Sequence, residues 1–280
     1  MKKLLKAIVP KTLWEFVRRM LFRVPAAFEH LGPYERHMRY RGFKLHYARG
    51  DSIVKRLRRE PVFEEKMCQD IVHELNKSQS PVFLDIGANI GLISLYVAAA
   101  APAAKIYAFE PGPVQAGMLE KTIESNKLTS RIELTIAALS DSAGRRKFHI
   151  HPAHDMSKDG LRDTGRGEKA MVAEVDTLTL DDWWEKTGSP RINVVKIDTE
   201  GAELLILRGA RFFLAKARPV VYLEIERSNL KAYPYSAGDI LSFLGDMGYS
   251  LSSLQGERAD AENLNDLLRT GDTFRAAPLP

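Results

Sequence analysis

A single cysteine, Cys68, stands among the 280 residues. That excludes an internal disulfide and any cysteine-based zinc site, and it fits a reducing compartment, so the cytoplasm is the expected address. No stretch approaches the ~20 consecutive apolar residues of a membrane span. Near the start no apolar run reaches the ~7 to 15 residues of a signal peptide, because Glu15 interrupts the segment. Internal repeats and low-complexity tracts are also missing. With 45% hydrophobic residues there is enough sequence for one large α/β domain with additions.

Charge is present but unevenly spread. The net charge is +5, yet residues 1–60 hold 16 Lys+Arg against 5 Asp+Glu, a local +11 that leaves −6 on the rest. We therefore expect a basic N-terminal extension over residues 1–60 and an acidic body over 61–280. Within the extension, Leu13, Trp14, Phe16, Val17, Met20 and Leu21 recur at helical spacing, with Arg18, Arg19 and Arg23 on the remaining surface. This cationic amphipathic helix has three readings: packing on its own domain, dimerisation, or peripheral contact with an anionic inner membrane surface through residues 1–24. The charge pattern favours the membrane more than composition alone does. The later basic run Lys55, Arg56, Arg58, Arg59 reads as a solvated face.

The chain is organised around the stretch from Pro81 to Leu95. A short apolar run ends at Asp85, and a glycine-spaced loop opens the next apolar stretch, the pattern of a buried strand, a tight turn and a helix. Gly87 and Gly91 let a ligand lie against the loop and the helix's first amides. A dinucleotide loop wants Gly-x-Gly-x-x-Gly, whereas here Asn89 stands where the second glycine belongs and would crowd a pyrophosphate. The second apolar run, Lys105 to Phe109, ends in Glu110, placed to accept hydrogen bonds from ribose hydroxyls. These features point to a phosphate-free adenosine compound. S-adenosylmethionine fits, with Asp85 and the amides of Gly87, Ala88, Asn89 and Gly91 toward its amino-acid end and Glu110 toward its ribose.

A third apolar strand, Val194 to Ile197, ends in Asp198, Thr199 and Glu200, where open α/β sheets place their chemistry. The repeated strand–helix units argue a doubly wound parallel sheet. Residues 144–176 break the rhythm and read as a hairpin with a long polar loop over the site. His149 and His151 share one face of that strand and are expected at the surface, while His154 on the loop is a candidate base. Of the adjacent Trp183 and Trp184, one is expected in the core and the other partly exposed for stacking a sugar. Glu224, closing the strand from Val220, is expected to face the crevice.

The ordered stretches Phe83–Gly91, Tyr107–Pro111, Ala137–Asp141 and Lys196–Glu203, continued by Arg218-Pro219 and Leu223-Glu224, resemble the motifs of the FkbM-type methyltransferases. The resemblance covers residues 60 to 250. It implies a class I fold with a mostly parallel, seven-stranded Rossmann-like sheet and an antiparallel edge pair. It also implies S-adenosyl-L-methionine as cofactor, with Pro111, Ala138 and Leu139 joining the cofactor residues, and O-methylation of a hydroxyl on a small-molecule, sugar, glycan or natural-product acceptor.

The sulfonium methyl is intrinsically electrophilic, so such chemistry needs in-line positioning of the acceptor and removal of its proton. Asp198 is the first candidate to orient the acceptor or stabilise the sulfonium. Glu200 is the second, as base, and Glu203 ranks behind both. All three also suit a helix N-terminus as caps. No metal ligand is expected from the spacing. A nicotinamide-dependent oxidoreductase and an inactive S-adenosylmethionine-binding protein remain alternatives. Nucleic acid is not expected as a partner, since there is no Asn/Asp-Pro-Pro-aromatic motif and no Pro-Cys nucleophile.

Overall fold

The apolar runs form strands whose residues are mostly buried, as a sheet covered by helices on both faces requires. A computed structural model describes residues 35–57, 59–152, 154 and 156–280. The chain first makes a hairpin of β1 (Glu35–Tyr40) and β2 (Phe43–Ala48), then α1 (Ser52–Leu57) and α2 (Glu65–Leu75). The strand–helix units follow as β3 (Val82–Ile86), α3 (Leu92–Ala100), β4 (Lys105–Phe109), α4 (Pro113–Ser125) and β5 (Ile132–Thr135). An insertion supplies β6 (Ala138–Leu139), β7 (Gly144–Ile150) and β8 (Met171–Leu178). Next come α5 (Leu180–Lys186), β9 (Val194–Ile197), α6 (Glu203–Arg208), α7 (Arg211–Ala217) and β10 (Val220–Glu224). The chain closes with α8 (Arg227–Leu230), α9 (Ala237–Asp246), β11 (Tyr249–Ser253), α10 (Leu264–Thr270) and β12 (Thr273–Pro278).

The main sheet has seven strands in the order β5-β4-β3-β9-β10-β12-β11. β3, β4, β5, β9 and β10 run parallel, while β12 lies antiparallel between β10 and β11, so the expected edge pair is present. From β3 the chain order proceeds outward in both directions, making β3/β9 the switch point at which such sheets bind ligands. Two apolar cores lie on the two faces. One holds α2 and α3 through Ile71, Leu75, Leu95 and Val97. The other holds α5, α6, α7 and α9 through Trp183, Leu204, Phe213 and Ile240.

Several expectations change. Residues 36–60 belong to the folded unit that begins at Arg36, so the charge boundary at 60 is no structural one. This stretch is anchored by side-chain bonds to α4 and its C-cap: Thr122 Oγ1 accepts from His46 N at 3.0 Å and Asn126 Oδ1 from Lys44 N at 2.8 Å. Trp183 and Trp184 are both buried, leaving neither for a sugar. Trp183 meets Tyr107 and Phe109 edge-on, and Trp184 packs on Phe213 while its Nε1 donates to the Pro190 carbonyl at 2.8 Å. His151 is buried too, because the loop after β7 folds back over it. The expected helix over residues 11–23 lies outside the described residues. Among the described residues no helix is long and apolar enough to cross a membrane.

Candidate functional site

Asp85 of β3 and Lys196 of β9 are register partners, which brings two charges together inside the sheet. Lys196 Nζ lies 3.5 Å from Asp85 Oδ1 and 3.2 Å from Asp198 Oδ2, and it donates to the Gly87 carbonyl at 2.8 Å. Asp85 Oδ2 takes a second bond from Ser94 Oγ at 2.6 Å. Burial pulls the Lys196 ammonium down, but Asp198, Asp85 and Glu64 outweigh it and hold it above the ordinary lysine value. Gly87 has φ +77°, and a Cβ there would sit 1.8 Å from the Asp198 carbonyl oxygen. The loop after β3 can therefore press against the end of β9 only with glycine at this place.

Glu110, at the end of β4, is buried beside that loop. Its two oxygens accept from Gly112 N at 2.7 Å and Asn89 N at 2.8 Å. Burial dominates and pushes this carboxyl up to about 7 against those two donors. Asn89 adopts φ +51°, a left-handed conformation that asparagine tolerates, and its Oδ1 accepts from Ile90 N at 2.8 Å. It thus makes the turn that a dinucleotide loop makes with glycine.

The acids of β9 and β10 converge. One oxygen each from Asp198, Glu200 and Glu224 lie within 4.8 Å of one another, a set able to hold a hard cation where the spacing alone had suggested no metal ligand. Burial drives Glu200 up to about 8 although Arg166 forms an ion pair with it. Burial and then the charge of Asp198 raise Glu224 well above the carboxylate range, and the same two causes push Glu64 up to about 7. Glu203 is not part of this group. Its Oε1 accepts from Thr199 N, Thr199 Oγ1 and Gly201 N, so it ties down the turn entering α6.

These residues surround a cavity of about 390 Å³, within the range of roughly 300–1,000 Å³ typical of small-molecule sites. Gly87, Ala88, Asn89, Glu110, Pro111, Ala138, Leu139, Asp198, Glu200 and Glu224 line it, and the loop after β7 covers it with Met156, Asp159 and Arg166. Two expected residues stand behind the wall: Asp85 under Lys196, and Gly91, whose missing Cβ would lie 2.4 Å from Leu119 Cδ1. His154 is outside the lining, exposed and paired with Glu168 at 3.2 Å. Sequence reasoning missed Lys196, Glu64, Gln115, Asp159 and Arg166 as lining residues. Only Lys196 carried a signal, as a charge inside an otherwise apolar strand.

The sequence that builds this cavity has relatives among known proteins. The chain is 31% identical over 168 residues to the methyltransferase sdnD of Sordaria araneosa, a match covering 51% of this chain and 64% of that one. It is 30% identical over 197 residues to the 2-O-methyltransferase NoeI of Sinorhizobium fredii, covering 64% and 79%. To the hexuronic acid methyltransferase AglP of Haloferax volcanii it is 29% identical over 148 residues, covering 50% and 55%. Residues 85–251, running from the buried Asp85 through the acid cluster to β11, match the family model of the methyltransferase FkbM domain, and on that match the chain belongs to the FkbM methyltransferases.

Proposed function

We propose that the chain transfers a methyl group from S-adenosyl-L-methionine to a hydroxyl of a sugar, glycan or related natural product. The observation that carries this reading is the single cavity joining Glu110 and the Gly87–Asn89 loop to the Asp198–Glu200–Glu224 cluster. The residues present fit the cofactor. Glu110 offers a buried carboxylate with acceptor capacity left after two backbone bonds, Pro111, Ala138 and Leu139 offer apolar surface, and the loop comes close because Gly87 has no side chain. Bound there, S-adenosylmethionine supplies an electrophilic methyl group.

The chain's own residues supply position and proton acceptance. Asp198 is fixed from below by Lys196 and faces the cavity, which suits it to orient an acceptor hydroxyl. Glu200, pushed up to about 8, is matched to accepting a proton near neutral pH, and Arg166 stabilises its charged form. Glu224 shares the pocket's acid end, and burial and then the charge of Asp198 raise its carboxyl well above the ordinary range. The names of NoeI and AglP, a 2-O-methyltransferase and a hexuronic acid methyltransferase, support a sugar-like acceptor here. A second reading, favoured by the three convergent carboxylates, adds a divalent cation at that end.

The test is incubation of the purified full chain with methyl-labelled cofactor and a panel of hexuronic acids, neutral sugars and polyketide alcohols. Label in an O-methyl product is expected. Absence of S-adenosylhomocysteine binding overturns the reading, and binding without transfer to any acceptor leaves a cofactor-binding protein. Loss of transfer in chelator with recovery in Mg²⁺ selects the metal-assisted form.

A further inference from the structure

Gln115 occupies the third position of α4, after Pro113 and Val114 and the N-cap Gly112. A glutamine there commonly folds back so that its side chain accepts the N-cap backbone N–H. In this chain that N–H is already taken, because Gly112 N donates to Glu110 Oε1 at 2.7 Å. The amide of Gln115 is oriented by its other end: Nε2 donates to the Met156 carbonyl at 3.1 Å and to Asp159 Oδ2 at 2.7 Å. Both hydrogens of Nε2 are thereby used on the cover loop, and Oε1 must face the opposite way. It is buried without a hydrogen-bond partner, on a residue that is 1% exposed and lines the cavity.

The neighbour of this free acceptor identifies its ligand. A Cβ on Gly112 would meet Gln115 Oε1 at 2.5 Å and Glu110 Oε1 at 2.8 Å. Both oxygens crowd the Gly112 backbone and so lie next to each other, on two residues that line the cavity, a pair suited to the two adjacent hydroxyls of a vicinal diol. We infer that Gln115 Oε1 is a second ribose acceptor, taking one hydroxyl of the cofactor's diol while Glu110 takes the other. Because the same side chain carries Asp159 and Met156 through Nε2, it also ties the cover loop to the occupied nucleoside subsite. This rests on the proposed cofactor, and it adds a contact that neither the loop motif nor the acid at the end of β4 specifies.

The experiment is calorimetric titration of the full chain with S-adenosylhomocysteine, its 2′-deoxy and 3′-deoxy analogues, and its N6-methyl analogue. In the parent each missing hydroxyl should weaken binding roughly tenfold, the size of one net hydrogen bond made to a buried, otherwise unpaired acceptor. In Gln115→Met one of those two penalties should vanish to within about twofold, with the other intact. Asp159→Ala cuts the tie to the cover loop from its other end and should keep both. Should Gln115→Met fail to melt cooperatively, Glu110→Ala serves instead: one hydroxyl penalty must survive there, since Gln115 remains. Equal penalties in parent and Gln115→Met, or no surviving penalty in Glu110→Ala, overturn the assignment, as does a Gln115→Met effect confined to the N6-methyl analogue. No binding of S-adenosylhomocysteine to the parent overturns the cofactor reading itself, and this with it.

Discussion

Lys196→Met removes the cation of the β3–β9 pair while keeping the length of the side chain. In the parent, the ammonium neutralises Asp85, which is fully buried, and also touches Asp198 and the Gly87 carbonyl. Removing one partner of a buried pair leaves an uncompensated charge and costs about 3–5 kcal/mol. For a folded unit of this size, that corresponds to a fall in melting temperature of roughly 6 to 20 °C. The sign with pH follows from the direction of the lysine's shift. Its folded-state value is raised, so its contribution is complete below the unfolded lysine value of about 10.4 and is lost only as pH climbs through the folded one. A melt at pH 7 therefore reads the full effect. Asp85→Asn in the Lys196→Met background should recover much of the loss, because the stranded charge is gone. A fall under about 3 °C, or no recovery in the double variant, refutes the idea that this pair holds the switch point together.

Glu110→Ala should weaken S-adenosylmethionine binding by about one to two decades, since a hydrogen bond to a charged group is worth roughly 1.5–3 kcal/mol, and an unchanged dissociation constant in a folded variant removes Glu110 from the site. Asp198→Asn should lower turnover at least ~100-fold with the fold intact, as expected of a positioned proton-transfer or orienting group; near-normal turnover moves the chemistry to Glu200. The ligand-free chain should melt at lower temperature at pH 8 than at pH 6. Its buried carboxyls, Glu200 pushed to about 8 and Glu64, Glu110 and Glu203 to about 7, keep protons that the unfolded chain has already released above about 5. A flat profile across that window contradicts those burial effects, and Glu200→Gln should reduce the slope. Finally, the +11 charge of residues 1–60 leads us to expect co-sedimentation with anionic liposomes that salt weakens and deletion of residues 1–24 abolishes. Loss of the cooperative melt on that deletion instead places the segment in the fold.

The parallel sheet was legible because its strands are written as short apolar runs, each punctuated by an acid. Val82–Ile86, Lys105–Phe109 and Val194–Ile197 could hardly be anything but buried strands, and their order along the chain yields the switch point once the crossover rule is applied. What escaped was short or locally ambiguous. The helix α1 hid in a basic run of which only two residues, Val54 and Leu57, are buried. The break between α6 and α7 lies at Gly209, where a Cβ would sit 2.1 Å from the Ser140 carbonyl oxygen. That approach is tertiary, and no periodicity announces it. Likewise, both tryptophans of α5 are buried because one meets the sheet and the other the neighbouring α7, an arrangement invisible to a wheel drawn for one helix with one partner.

For the site, the division is between residues placed by their own strand and residues placed by someone else's. Glu110, Asp198 and Glu224 end strands, so position along the chain was enough to set them at the crevice. Lys196 needed the lateral register of β3 against β9, since only the pairing with Asp85 explains a lysine in the middle of a buried parallel strand. Gln115, Asp159 and Arg166 needed more, the return of the loop after β7 across the cavity mouth, where Gln115 Nε2 meets Asp159 at 2.7 Å and Arg166 pairs with Glu200. The insertion's length and glycine content foretold a cover, but not which of its side chains would reach inward. Its histidines misled for the same reason. His154 turned out to Glu168 on the surface, and His151 was drawn in against Asp159, whose Oδ1 accepts from the His151 backbone N at 2.7 Å. A side chain's role in this cover is therefore set by the partner that captures it, and the acidic floor draws its partners from the loop by charge: Arg166 pairs with Glu200 and stabilises the charged form that burial disfavours.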